Sequence, residues 1–285
     1  MATGSSAKRK AGKKGALPMP KFNKNELHPA LGLVAFFLIP LVRLMFGLNV
    51  KGLEKLPKAG SYVLVSNHVT NVDALAVAYF VYVKLNRAPH FLAKESLFRI
   101  PVIGKILLAA GQIPVYRTSG QRNDEPLRVA HEYLKRGHMI GIFPEGTLTR
   151  DPDMWPMRGK SGAVRLALDT NVPVYPIAHW GAQDILPRYG SKFRPGFWKK
   201  VDILVGDQID LSQYQGRKLA PEEVAIATER VMRALTGLVE ELRGEKAPDT
   251  LWDPAQQGQS VTGNFVKAQK AAAKPAKSAA KKSAK

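Results

Sequence analysis

The chain has 285 residues, with 43 Lys and Arg against 23 Asp and Glu, a formal net charge of +20, and no cysteine. At roughly 100–200 residues per domain, this length allows one or two domains with a sizeable core. The lack of Cys excludes a disulfide framework, a thiolate nucleophile, a Cys-ligated zinc and a thiolate-ligated iron–sulfur cluster.

The charge is concentrated at the two ends. Residues 1–24 carry seven Lys/Arg and no acid, and residues 267–285 carry seven Lys and no acid, so the ends hold +14 of the +20. Neither end has enough apolar content to offset its ordering entropy, so a basic arm (1–26) and a Lys/Ala-rich tail are expected to be disordered, the tail following a linker within 246–285. They serve either as solubilising tails or as attractors for a polyanion, and anionic lipid and nucleic acid both fit.

Residues 27–48 read LHPALGLVAFFLIPLVRLMFGL. Pro40 interrupts the apolar run and Arg43 stops it, which is short of the roughly 20 apolar residues a single span needs. The segment is either a buried core helix or a helix in the bilayer interface with Arg43 reaching head groups. Its Phe, Leu, Ile and Met content beside a basic arm favours a membrane-associated helical segment over 27–49.

A folded domain over 50–245 follows, in which strands and helices alternate. Ser61–Ser66 has the composition of a buried strand, and Asp73–Leu85 reads as a helix. His90–Ala93 is a short strand, Pro101–Ala110 a helix stopped by Gly111, and Gln112–Tyr116 a strand. Asn123 or Asp124 opens a helix running to Arg136, closed by Gly137. Met139–Phe143 is a strand, Ser161–Thr170 a helix, and Val172–Ala178 and Val201–Val205 are strands. Pro221–Arg243 is an amphipathic helix closed by Gly244. This order predicts an α/β fold with a mixed, mostly parallel sheet flanked by helices.

Four stretches could carry chemistry. In Asn67–Asp73, His68 stands just past a strand end with a carboxylate five residues on, and strand ends are where α/β sites form. A turn of that length can fold Asp73 onto the imidazole and leave Nε2 as a general base, which is the base half of a triad without its nucleophile. The plainer reading is an exposed loop His with Asp73 as a helix cap. Gly111–Arg117 ends a strand in a guanidinium suited to phosphate, or in a simple surface Arg. In Phe143–Arg150, Glu145 can hydrogen-bond a polyol, Gly146 permits close backbone approach, and Thr147 and Arg150 supply donors for an anion. Lys160 stands with Arg158 and Gly159 before a helix N-terminus. Val172–Ala178 is an apolar strand flanked by prolines. His28, His90, His131, His138 and His179 show no metal-ligand spacing, so no metal is expected, and no G-x-S-x-G, H-E-x-x-H, Walker or G-x-G-x-x-G motif occurs.

In this order, N-H-x4-D at Asn67–Asp73, the Gly111–Arg117 strand, F-P-E-G-T at Phe143–Thr147 and V-P-V-x-P at Val172–Pro176 resemble the glycerolipid acyltransferase family, which includes the 1-acylglycerol-3-phosphate acyltransferases. The resemblance covers roughly residues 50–210. It implies a mixed α/β fold and acyl transfer from acyl-CoA or acyl carrier protein to a glycerophosphate hydroxyl such as that of lysophosphatidic acid, giving phosphatidic acid without a cofactor. It implies that His68 is the base and Asp73 its partner, and that Arg117, Glu145 and Gly146 hold the glycerol phosphate. The family often reads P-E-G-T-R-S, whereas here Leu148 follows Thr147, so the phosphate falls to Arg150, Lys160 or Arg158. An N-terminal membrane anchor is common in the family, and the expected location is the cytoplasmic face of the cell membrane. Alternatives are the same chemistry on glycerol-3-phosphate or a glycolipid, and a non-catalytic nucleic-acid binder using the basic ends. The core shows no basic face that would support the last.

Overall fold

Tyr62–Ser66 forms a strand, β2, whose side chains alternate between two apolar layers: Val63 and Val65 face one, Tyr62 and Leu64 the other. Both layers are covered, which is why the strand reads as a continuous apolar run. The computed structural model describes residues 20, 27, 29–115, 125–190, 192–194 and 199–259. Apart from Pro20, the basic arm 1–26 lies outside the described residues, as does the tail from 260 onward.

Around β2 the chain builds a seven-stranded sheet from β1 (Phe46–Lys51), β3 (His90–Lys94), β4 (Ile113–Val115), β5 (Met139–Ile142), β6 (Val174–Trp180) and β7 (Lys199–Val205), in the spatial order β1-β7-β6-β2-β5-β3-β4. All neighbours run parallel except β6 and β7. The expected mixed, mostly parallel sheet is therefore found.

The helices are α1 (Pro29–Met45), α2 (Asp73–Leu85), α3 (Glu95–Phe98), α4 (Ile103–Ala109), α5 (Glu125–Lys135), α6 (Gly162–Thr170) and α7 (Pro221–Arg243). On one face α5, α6 and α7 pack Val129, Leu134, Val164, Ala167, Val231 and Leu235 against the strands. On the other, α2 buries Val77, Phe80 and Val81 against Leu64, Met139 and Ile203. Phe80 is fully buried, and a side chain of that size contributes roughly 1.5–3 kcal/mol on burial. Asn171 and Gly244 end α6 and α7 in the left-handed region, at the stops expected from the sequence.

The segment 27–49 is helical only to Met45; its last residues enter β1 and pair with β7. Among the described residues, no helix is long and apolar enough to cross a membrane. Of the segment read as a linker, residues 246–259 lie against the body: Met157 bridges Trp252, and Arg158 Nη1 donates to Asp253 Oδ2 at 2.6 Å.

Candidate active site

The site follows from the place of β2 at the middle of the sheet. It lies between β5 and β6, both parallel to it, so the loops leaving all three strands emerge together. Asn67 ties the loop after β2 to β6: its Nδ2 donates to the His179 carbonyl at 3.1 Å, and its Oδ1 accepts the His179 amide at 3.0 Å. From the β5 side, the Thr149 amide donates to the His68 carbonyl at 2.7 Å, and Glu145 Oε1 accepts the His68 amide at 2.8 Å. The residue bearing the imidazole is thus held at both its backbone groups.

His68 Nδ1 lies 3.0 Å from Asp73 Oδ2. Asp73 is fully buried at the start of α2 but does not cap that helix; its Oδ2 accepts the amides of Val69 (2.6 Å) and Thr70 (2.7 Å), folding the turn back on itself. Since that oxygen already accepts two N–H groups, the proton shared with the imidazole sits on Nδ1 and Nε2 is left with its lone pair. The His68 side chain is 18% exposed, so part of it reaches solvent. Its ring stacks on Phe143 at 4.3 Å, and Phe143 stacks on Phe91 at 5.8 Å, which fixes the ring plane.

Nearby hydroxyls are turned away from the imidazole. Ser66 Oγ lies within hydrogen-bond distance of the Asn67 carbonyl, and Thr70 Oγ1 donates to the Leu186 carbonyl. Chemically, the arrangement can serve as a base with an orienting carboxylate, and none of these hydroxyls is partnered to the imidazole.

The other sequence candidates divide. Glu145 is nearly fully buried, and both its oxygens take backbone amides, His68 and Met157 (3.3 Å); it braces the loop rather than facing solvent. Burial pushes its carboxyl up to about 8, prevailing over the two amide bonds that pull it down. Arg150 is also buried, with its Nη1 donating to Tyr189 Oη at 3.1 Å. Gly146 stands at φ +68°, and its amide donates to the Phe143 carbonyl at 2.9 Å. A Cβ there would come within 2.9 Å of Lys160 Nζ, so Gly146 permits the lysine to lie across the turn. Lys160 is exposed and Thr147 half-buried. Arg117 lies outside the described residues.

Two contributors escaped the sequence reading. His179 is fully buried on β6, with Nε2 2.9 Å from the Asn67 carbonyl and 3.6 Å from Asp73 Oδ2. Phe143 supplies the stacking face. A histidine in an otherwise apolar strand was the available signal for the first; the second is indistinguishable from a strand residue until β5 is placed.

The Acyltransferase family model matches residues 47–180. A chloroplastic 1-acyl-sn-glycerol-3-phosphate acyltransferase of Brassica napus is 34% identical over 140 residues, covering 49% of this chain and 39% of that protein. A 1-acyl-sn-glycerol-3-phosphate acyltransferase of Borreliella burgdorferi is 33% identical over 173 residues, covering 60% of this chain and 66% of that protein. The chain thus spans 39% and 66% of these two relatives' own lengths. The crystal structure of the 1-acyl-sn-glycerophosphate acyltransferase PlsC from Thermotoga maritima superposes with a TM-score of 0.55 at 27% identity, covering 77% of this chain and 81% of that one.

Proposed function

We propose that the chain, whose residues 47–180 match the Acyltransferase family model, moves a fatty acyl group from an acyl thioester to the hydroxyl of 1-acylglycerol-3-phosphate, forming phosphatidic acid for phospholipid synthesis. The observation that carries this reading is the His68–Asp73 pair at 3.0 Å, with the imidazole partly exposed and no serine bonded to it among the described residues. The nucleophile is then the substrate alcohol. His68 Nε2 takes the hydroxyl proton as the alkoxide oxygen attacks the thioester carbonyl, and Asp73 stabilises the imidazolium. The tetrahedral intermediate expels the thiolate, which takes the proton from His68 and leaves as a free thiol beside the new ester. The Gly146 amide is engaged by the Phe143 carbonyl, whereas the Thr147 amide makes no hydrogen bond among the described residues and is the donor open to the oxyanion. Lys160 and Thr147 border the place for the acceptor phosphate, and Arg117 is assigned there by its motif. Glu145 and Arg150 act from beneath.

The test is a panel of labelled acyl-CoA and acyl carrier protein donors against lysophosphatidate, glycerol-3-phosphate and a lysoglycolipid, read by product mass. Phosphatidate is the expected main product. A strong preference for either other acceptor would replace the acceptor assigned here, and no transfer from any donor would remove the reaction.

The chain is further assigned to the cytoplasmic face of the membrane. Leu33, Phe36, Phe37, Leu41 and Leu44 stand exposed on α1, on the side away from buried Leu31, Ala35 and Val42. α4, which α1 touches, adds exposed Ile103 and Ile106, and the preceding turn adds Ile100 and Val102. Arg43 and Lys105 are exposed beside them, the composition of an interfacial surface for anionic lipid. Vesicles containing phosphatidylglycerol are expected to pellet the full chain, and Phe36→Glu with Phe37→Glu to abolish pelleting. Binding to DNA with no binding to vesicles would support the rival reading of the basic ends.

A further inference from the structure

Between α5 and α6 runs a groove of about 620 Å³ that the chemistry at His68 does not use. It is lined by Leu127, Arg128 and His131 from α5, and by Ser161, Arg165 and Asp169 along α6, with Lys160 at one end. Its position follows from the topology. α5 and α6 follow β4 and precede or follow β5, so their N-termini lie beside the strand ends where the catalytic loops emerge.

We propose that this groove holds the phosphoadenosine end of a coenzyme A thioester donor, an inference that rests on the acyl-transfer reading and deepens it. Three observations carry it. First, two guanidinium groups here are unmatched: Arg128 and Arg165 form no ion pair among the described residues, and Asp169 is the acid among the lining residues. The adjoining groove of about 530 Å³ shares Ser161 and Arg165, but its other cations are matched, Arg158 to Asp253 at 2.6 Å and Arg233 to Glu229 at 3.1 Å. A polyanion is therefore drawn to the first groove and not to the second.

Second, the groove is too long for one phosphate. Ser161, Arg165 and Asp169 lie four residues apart on one face of α6, a stripe of about 12 Å at 1.5 Å per residue. A single acceptor phosphate needs only the Lys160 end. Coenzyme A carries a diphosphate and a separate 3′-phosphate, which spread charge over such a length, and guanidinium groups bind phosphate bidentately. Leu127 supplies apolar surface for the adenine. The volume also lies in the range of small-molecule sites, roughly 300–1,000 Å³, whereas docking of a carrier protein requires no such cleft.

Third, the groove connects to the site. Lys160 lies across Gly146, one residue from Glu145, whose Oε1 takes the His68 amide. The pantetheine arm has that route to the imidazole.

Calorimetric titration of the full chain bearing His68→Ala reads binding without turnover. Coenzyme A is expected to bind at least tenfold more tightly than 3′-dephospho-coenzyme A. Arg128→Glu, on an exposed side chain with no ion pair among the described residues, is expected to weaken coenzyme A at least tenfold. Arg128→Ala with Arg165→Ala should erase the difference between the two ligands. In the otherwise wild-type enzyme, Arg128→Glu should raise the KM for acyl-CoA and leave that for the acceptor unchanged. Unaltered coenzyme A affinity in Arg128→Glu, a shift in the acceptor KM instead, or binding of acyl carrier protein with none of coenzyme A would each overturn the groove assignment. The predicted binding pattern with no transfer from any donor would overturn the reaction and leave the nucleotide groove standing.

Discussion

Replacing His68 by alanine is expected to lower turnover by at least about 10²–10⁴-fold, the usual contribution of a positioned general base, while the protein stays folded. The second half of that expectation comes from the loop. Asp73 Oδ2 keeps the Val69 and Thr70 amides when the imidazole is removed, so no buried acceptor is orphaned. The backbone of residue 68 keeps its bonds to Glu145 and Thr149. Phe143 loses a stacking partner on a partly exposed face, a small cost. Circular dichroism and thermal unfolding check the fold, and product formation from labelled donor checks the chemistry. An alanine variant that still transfers acyl groups at the wild-type rate would take the proton-accepting role from His68.

The second large effect is expected at Glu145. Glu145→Ala leaves the His68 and Met157 amides without acceptors, and each such loss costs roughly 1–3 kcal/mol. Thermal stability should fall, and turnover with it, since one of the two backbone anchors of His68 is gone. Glu145→Gln keeps the shape and one accepting oxygen, so it should recover part of both. The carboxyl also makes a pH signature. Burial raises it from an ordinary 4.5 to about 8. Between those values the folded chain holds a proton that the unfolded chain has released, so stability falls as pH rises from about 4.5 to about 8, by at most ~1.4 kcal/mol per pH unit. Denaturant midpoints across this window should decline in the wild type relative to Glu145→Gln. Parallel profiles would mean that the Glu145 carboxyl does not carry the proton.

How much of this was legible in the residues depended on the range of the interaction. Asp73–Leu85 and Pro221–Arg243 begin and end where their local signals put them, because apolar patterning, an N-terminal proline and a terminal glycine act within a turn. The His68–Asp73 contact spans five residues, a separation short enough for the spacing alone to allow it. β1 was different. Phe46–Lys51 continues the apolar composition of the helix before it, and its partner β7 lies some 150 residues on, so nothing local marks it as a strand. The antiparallel turn of β7 against β6 was equally hidden. Within the site, Glu145 and Arg150 carry charges that suggest a ligand by type alone; their burial, and the amides and phenol they bind, come from tertiary packing that the motif does not encode.

The pairing of Phe46–Lys51 with Lys199–Leu204 has a practical meaning for any shortened form of this protein. The apolar helix invites removal, yet a cut placed after Lys51 would also bare one whole side of β7. Its amide and carbonyl groups would then be a template on which other chains could add strands, and aggregation would follow. A truncation meant to remove α1 must therefore begin no later than Phe46.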